Sequence, residues 1–178
     1  MKTIRVLFAL CALLFGAQAQ AQLSLSQMTT LKATCAAAQA CVSLAAAADD
    51  MGLAAWFNTA DEAYIVWRTA VPIDDIMRNG MDWARVDNLS TGKARIWDWM
   101  GRLGTLDCSK PNVRAGIDAT WVGTAADLAV RATVYTHCKR AATRAEKALA
   151  TGAGTDASPS AMTYQGQVSP QDASLIRS

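Results

Sequence analysis

The sequence predicts a mainly α protein: one small helical domain of about five to six helices, with an N-terminal leader and an extended C-terminal arm. The chain has 178 residues, of which 52% are hydrophobic and 18% charged, a balance typical of a single globular domain. Alanine, the best helix former, is very common. Apolar residues also recur at steps of three and four, which places them on one face of a helix.

Residues 1–21 have the order of a secretory signal peptide. Lys2 and Arg5 give a basic start, an apolar run covers 6–15, and the small-residue string GAQAQAQ follows. The apolar run is shorter than the roughly 20 residues that span a bilayer. We interpret these residues as a leader and expect no membrane partner for the mature form. An ordinary first helix or an over-extended gene start are the alternatives.

Charge argues against a polyanionic partner. Cleavage of the leader would lower the number of basic residues from 17 to 15, which equals the number of acidic residues, 15. A mature chain with about zero net charge has no overall attraction to nucleic acid or to an anionic membrane. We therefore do not expect nucleic acid as a partner.

The domain that we predict over 22–150 begins with a helix from Ser24 to about Ala48. Ser24 and Gln27 are spaced as a capping box, in which each side chain binds the other residue's backbone N–H. A second helix, capped by two aspartates, covers 49–57. The next apolar run, 64–67, favours a strand by residue type but also allows a helix.

The rest of the domain alternates short and long helices. We predict a short helix over 73–78, a linker over 81–89 and a helix over 93–100. A further helix begins at Pro111, and a long one runs from the capping box at Thr124 to about Ala150.

The last residues, 151–178, are predicted to be a flexible joint and an extended arm. The joint, 151–159, is rich in Gly, Ser and Thr. Beyond it the apolar content is low, and Pro159 and Pro170 argue against a continuous helix. We expect this arm to be mobile in the monomer and to become ordered on a partner.

Four cysteines follow the leader: Cys35, Cys41, Cys108 and Cys138. An even number after a signal peptide fits disulfides formed in an oxidising compartment. Cys35 and Cys41 are six residues apart, which is about 9 Å along a helix axis and too far for a disulfide. We therefore expect any bridge to link the first helix to Cys108 or Cys138. Buried free thiols are the alternative.

The sequence gives no pattern for a catalytic, cofactor-binding or metal-binding site, and we predict that the protein is not an enzyme. The single histidine, His137, adjoins Cys138, but neighbouring residues on a helix point about 100° apart. The cysteines lack the close pairing of a zinc knuckle. Gly101 and Gly104 lack the strand and the lysine of a phosphate-binding loop.

Charge and aromatic residues suggest candidate partner contacts. A basic cluster near 139–147 either offsets the negative end of a long helix or contacts a polyanion or partner protein. Trp99 points away from the buried face of its helix and could serve an interface, although core packing is the alternative. The arm contributes three more residues. The candidates are Trp99, Lys139, Arg140, Arg144, Lys147, Met162, Tyr164 and Val168.

Six strings occur in order over most of 23–178: LSLSQMTTLKA, AYIVWRTAVP, DNLSTGKARIWDWM, KPNVRAGI, KRAATRAEKALATGAGT and SPSAM-Y-G-VSPQDAS. Together they resemble an uncharacterised family of tailed-bacteriophage and prophage proteins encoded among head and tail structural genes. The resemblance implies a virion structural or assembly component, at the head–tail connection or in the tail. It would act through self-association or through contacts with other phage structural proteins.

Two features depart from that family, namely the leader and the cysteines at 35 and 41. Phage particles assemble in the host cytoplasm, whereas a functional leader would send the protein to the periplasm or outside the cell. The alternative function is therefore an exported periplasmic binding protein stapled by disulfides.

Overall fold

The computed structural model describes residues 23–178, so the predicted leader lies outside the described residues. Within that range the mainly α fold class is confirmed, but the helices are more numerous and shorter than expected. They are α1 Leu25–Ala36, α2 Gln39–Ala46, α3 Asp50–Asn58, α4 Ile73–Arg78, α5 Trp83–Asp87, α6 Thr91–Arg102, α7 Pro111–Thr120, α8 Ala125–His137, α9 Arg144–Leu149 and α10 Pro170–Arg177. The strands are β1 Ala60–Trp67, β2 Val71–Pro72, β3 Thr105–Leu106 and β4 Lys139–Thr143.

The helices enclose two hydrophobic cores. The first core contains buried residues of α1, α2, α3, α9 and α10, and the second contains those of α4, α6, α7, α8 and the short β2–β3 pair. An antiparallel ladder of β1 and β4 joins them, with Val66 opposite Arg140 and a bulge between Asp61 and Ile65. The strand alternative for 64–67 is therefore the correct one.

The long first helix predicted from Ser24 to Ala48 is wrong, because the chain breaks between α1 and α2. Ala38 has an extended backbone, with φ −124° and ψ 109°. The break brings the Cα atoms of Cys35 and Cys41 to 5.1 Å, and these two residues form a disulfide. Our expectation of bridges from the first helix to Cys108 or Cys138 therefore fails, since it assumed an unbroken helix. The capping box at Ser24 and Gln27 is present.

The long helix predicted from Thr124 to Ala150 is also broken. Helix α8 ends at His137, β4 pairs with β1, and a new capping box at Thr143 and Glu146 starts α9. Residues 139–143 make backbone hydrogen bonds to β1 in place of helical ones, and helical propensity, on which the prediction rested, does not report such pairing. Next to the break, Cys138 forms a disulfide with Cys108, and both side chains are fully buried.

The start of α8 is fixed by a buried carboxylate. Asp127 accepts the backbone N–H of Thr124 and binds the Arg85 guanidinium at 2.7 Å. These hydrogen bonds, that of Arg85 first, lower the pKa of Asp127 to about 2. The carboxylate is therefore charged at neutral pH, and it ties α5 to α8.

The prediction of an extended, mobile arm over 151–178 is wrong, because the segment packs on its own domain. Backbone N–H groups of Ile65 and Trp67 in β1 donate to the carbonyl oxygens of Gly154 and Ser160. Gly154 has a φ of +66°, and a Cβ there would overlap the Tyr64 ring, so only glycine fits the crossing.

The end of the same segment forms helix α10. Pro170 occupies the first turn, where a proline is favoured, and Ser169 before it forms a capping box with Asp172. Proline therefore marks a helix start here, although we had read it as a barrier to helix. Ala173 and Ile176 face α3 and belong to the first core. The fold-back was missed because the segment has few apolar residues, although four of its side chains, those of Tyr164, Val168, Ala173 and Ile176, are buried.

Substitution of Trp121 tests the second core. Trp121 is fully buried and packs edge-to-face on Trp97 with ring centroids 5.2 Å apart. We expect Trp121→Ala to lower the free energy of unfolding by about 3–5 kcal/mol, measured by urea denaturation. The control Trp83→Ala removes a tryptophan that is 58% exposed, and it should cost less than about 0.5 kcal/mol. Equal losses for the two variants would contradict the burial of Trp121.

Candidate protein interaction surface

The basic cluster at 139–147 is engaged within the domain. Arg140 forms a paired ion bridge with Glu146, at 2.7 and 2.6 Å, and Glu146 is only 3% exposed. The hydrogen bond to Glu146 raises the pKa of Arg140. Lys139 donates to the carbonyl oxygen of Asp156 at 2.7 Å and to its carboxylate at 3.1 Å.

The other two cations of the cluster lie over aromatic rings. The Arg144 guanidinium is 4.7 Å from the centre of the Trp56 ring. The Lys147 ammonium is 2.7 Å from an Asp61 oxygen and 5.5 Å from the centre of the Tyr64 ring. Such contacts stabilise a fold by about 1 kcal/mol each at partly exposed sites. The cluster therefore connects β1, β4 and α3, and it does not cap a long helix as one alternative supposed.

The arm residues proposed as partner contacts face their own domain. Tyr164 is 5% exposed and Val168 is 2% exposed, and both belong to the first core. The Asn58 side chain binds both backbone groups of Val168, at 2.9 and 2.8 Å. Met162 is half-buried and its Sδ accepts a hydrogen bond from Arg140. The prediction that these three residues contact a partner is therefore wrong, because the segment that carries them folds back on its own domain.

Trp99 is exposed, as the sequence predicted. Its side chain is 63% exposed, and Leu103, one turn further along, is 64% exposed. On the opposite side of α6, Trp97 and Met100 are buried in the second core. The outward side, which we call the α6 face, consists of Arg95, Asp98, Trp99, Arg102 and Leu103, all exposed.

The rest of the domain holds α6 firmly in place. Close packing on α7 is possible because Gly116 leaves room for Met100, whose Sδ would lie 3.3 Å from a Cβ at that position. At the other end of the helix, the Lys93 ammonium donates to the carbonyl oxygen of Val122 at 2.7 Å. The α6 face is therefore displayed on a rigid support, which lowers the entropy cost of binding.

The chemistry of the α6 face is apolar with a basic margin. Asp98 and Arg102 form an exposed ion pair at 2.9 Å, which leaves Arg95 as the excess charge. Trp99 and Leu103 are spaced i and i+4, and apolar residues at this spacing anchor a helix in the groove of a partner. Tryptophan and arginine are also enriched among residues that dominate binding energy. The face can therefore serve as the inserted half of a protein interface.

The sequence predicted the exposure of Trp99 but not that of Leu103, because we ended the helix at Gly101. Extending the three-four spacing beyond Trp99 would have reached Leu103 directly. The arginines of this face were overlooked because they are separated in sequence and gather only on the helix surface.

The neighbours His137 and Cys138 do not form a nucleophile and base. His137 Nε2 is 3.0 Å from the carbonyl oxygen of Asn79, and the Cys138 sulfur is bonded to Cys108. Within 23–178 no group of three or more His, Cys, Asp or Glu side chains is arranged to hold a metal ion. No helix in the same part of the chain is long and apolar enough to cross a membrane.

Comparison of the chain with known proteins gives no match. No protein-family model matches it, and neither do the curated proteins or the solved structures with which it was compared. The resemblance to phage proteins therefore remains a prediction from the six strings. Function has to be inferred from the chain's own residues and geometry.

Proposed function

We propose that the protein is a non-catalytic structural or assembly component of a tailed-phage particle, at the head–tail connection or in the tail, that docks on a neighbouring subunit through the α6 face. The observation that carries the proposal is the pair Trp99 and Leu103, 63% and 64% exposed one turn apart on a rigid helix. Contiguous exposed apolar surface with a polar rim marks a protein interaction site, whereas apolar residues exposed singly are normal.

The size of the anchors supports a specific contact. A tryptophan buries about 150–250 Å² in an interface, and apolar burial contributes about 25 cal/mol per Å². Covering the exposed parts of Trp99 and Leu103 would therefore stabilise a complex by several kcal/mol before the entropy cost of association. Arg95, the excess charge at the margin, favours a partner groove with an acidic rim.

The positions of the resembling strings support the same proposal. One string covers 87–100, which forms the end of α5 and most of α6 and contains Trp99. Two others cover 63–72 and 139–155, which form the β1–β4 ladder and α9. Three of the six strings therefore include the ladder between the cores and the α6 face, which is what the proposal requires.

The alternative, an exported binding protein, is favoured by a different observation. The described chain contains two disulfides, Cys35–Cys41 and Cys108–Cys138. Structural disulfides form in oxidising compartments and are rare in the cytoplasm, where phage particles assemble. An exported protein would also account for the leader.

A fractionation experiment separates the two functions. A host lysogen carrying the gene would be induced, particles purified on a density gradient, and the protein quantified by mass spectrometry in particles, cytoplasm and periplasm. We expect it in the particles. The double variant Trp99→Ala/Leu103→Ala should be reduced at least about tenfold in particles, since several kcal/mol of binding are lost. Trp83→Ala, which removes another exposed tryptophan, should incorporate normally.

Two outcomes would contradict the phage proposal. A processed protein in the periplasm, absent from particles, would establish the exported alternative. Particles that retain the double variant at the level of the Trp83→Ala control would show that the α6 face is not the docking surface. Circular dichroism of both purified variants verifies that they are folded before incorporation is compared.

A further inference from the structure

A cleft outside the α6 face lies between α7, α8 and the turn at 156–157. Its volume is about 730 Å³, against 350–430 Å³ for three smaller cavities of the described chain. Small-molecule sites in proteins commonly have volumes of roughly 300–1,000 Å³. The cleft is therefore large enough for a ligand of several to a few tens of atoms.

The floor of the cleft is aromatic. The Trp67 and Tyr135 rings have centroids 5.7 Å apart and are tilted by 55°. The Arg114 guanidinium lies 4.7 Å from the centre of the Trp67 ring, and its Nη1 donates to the carbonyl oxygens of Cys108 and Ser109 at 2.7 and 2.8 Å. These contacts fix the floor before any ligand arrives. A flat, apolar ring is the chemistry that such a floor accepts.

The walls of the cleft carry excess positive charge. Three cations, Arg114, Arg131 and Lys139, face two carboxylates, Asp118 and Asp156. Counted by formal charge, three cations and two carboxylates, the cleft therefore carries +1.

Arg131 is the cation with the weakest internal partner. Its Nη1 is 3.5 Å from Asp118 Oδ1, longer than the roughly 2.7–2.9 Å of a good charge-assisted hydrogen bond. The same Asp118 oxygen accepts a hydrogen bond from the Tyr135 hydroxyl at 3.0 Å. Burial, and then this hydrogen bond, raise the pKa of Tyr135 to about 12, so the hydroxyl remains a donor. The Arg131 guanidinium can therefore donate hydrogen bonds to an incoming anion, while the Tyr135 hydroxyl continues to bind Asp118.

We propose that this cleft binds a monoanionic carboxylate that carries an aromatic ring. The ring would lie against Trp67 and Tyr135, and the carboxylate would pair with Arg131. A single negative charge neutralises the cleft. A phosphate monoester, with a charge of about −1.5 to −2, would be attracted more strongly, but its desolvation cost rises faster than its charge and part of that charge would remain unpaired beside Asp118 and Asp156.

The same chemistry has two sources, a free aromatic acid or an aromatic residue at the C-terminus of a polypeptide. The site does not depend on the α6 face, and it goes beyond the proposed assembly function.

Calorimetric titration of the purified, oxidised protein tests this site. The probes are phenylacetate, which represents the free acid, and N-acetyl-phenylalanine, which represents the polypeptide end. We expect at least one to bind, and the tighter of the two identifies the source. The neutral amide phenylacetamide should bind at least about tenfold more weakly, because it lacks the charge that pairs with Arg131.

Three variants assign the binding to the cleft. Arg131→Gln should weaken the carboxylate probe by about tenfold or more, and the matched control Arg78→Gln, at an exposed position of α4 outside both sites, should bind it as the parent does. Ala132→Trp places a large ring into the cleft from an exposed position, so it should abolish binding without requiring a change in the core. If Arg131→Gln lowers the melting temperature, its weaker binding could reflect unfolding, and Ala132→Trp then tests the cleft independently.

Several results would overturn the proposal. They are the absence of binding for both carboxylates at concentrations up to about 10 mM, equal binding of phenylacetamide, tighter binding of phenyl phosphate, or binding that survives Ala132→Trp. None of these results bears on incorporation into particles, so failure of the cleft and failure of the α6 face are distinguishable.

Discussion

Truncation after Thr155 should cost the protein most of its stability. The removed segment supplies four buried side chains to the first core, those of Tyr164, Val168, Ala173 and Ile176. Burial of a large aliphatic or aromatic side chain contributes about 1.5–3 kcal/mol. We therefore expect a loss of about 5 kcal/mol or more, which is comparable to the total stability of many domains.

Lost hydrogen bonds add to this effect. Without the segment, β1 loses its backbone partner Ser160, and the half-buried end of α3 loses the contact between Asn58 and Val168. A polar group left buried without a partner costs about 1–3 kcal/mol. The Arg177–Asp50 ion pair, which holds the end of α10 to the start of α3, disappears as well.

Urea denaturation followed by circular dichroism measures the result. Ile176→Ala, which leaves the backbone intact, should reproduce part of this loss and lower the free energy of unfolding by about 2–5 kcal/mol. Gln171→Ala, at an exposed position of the same helix, should change stability by less than about 0.5 kcal/mol. An unchanged melting temperature after truncation would restore the mobile arm that the sequence suggested.

Local signals in the sequence predicted much of the fold. The capping boxes at Ser24 and Thr124 are present, because each depends on two side chains three residues apart. The helix starts at Asp50 and Pro111 follow from equally local chemistry. In these places the residues that determine the structure are neighbours in the chain.

Long-range pairing was outside the reach of such signals. The segment 139–143 reads as helix by propensity, yet it pairs with β1, almost eighty residues earlier in the chain. The fold-back of the C-terminal segment depends on Asn58 and β1 in the same way. Because these contacts join distant residues, periodicity in one window cannot reveal them.

The same distinction separates the candidate sites. The exposure of Trp99 could be predicted because its helix is short and the buried face of that helix is visible in the sequence. The basic cluster was misjudged because Arg144 and Lys147 find Trp56 and Asp61, which lie 88 and 86 residues away. The cleft was missed altogether, since Trp67, Arg114 and Arg131 belong to three separate elements.

Removal of the two disulfides should have unequal effects. All four cysteines are buried, so loss of packing is similar for both pairs, and the lengths of the closed loops decide the difference. The sequence separations are 30 residues for Cys108–Cys138 and 6 residues for Cys35–Cys41. The chain-entropy relation then gives roughly 4 kcal/mol for the first bridge and roughly 2 kcal/mol for the second.

Local propensity should reduce the smaller loss further. The junction between α1 and α2 has the sequence Ala-Ala-Ala-Gln, all strong helix formers. The Cys35–Cys41 bridge requires a break there, since an unbroken helix would hold these cysteines about 9 Å apart. Without the bridge the junction is free to become helical, which offsets part of the lost constraint.

Two double variants, Cys108→Ala/Cys138→Ala and Cys35→Ala/Cys41→Ala, measure the stability lost with each bridge and the helix gained at the junction. Urea denaturation should rank the first pair as more destabilising by about 1–2 kcal/mol, and the helical signal of the second should not fall. If the second pair were equally destabilised, with a weaker helical signal, the bridge would be holding α2 on α3. The break in the first helix would then be set by tertiary packing, with the disulfide serving only to secure it.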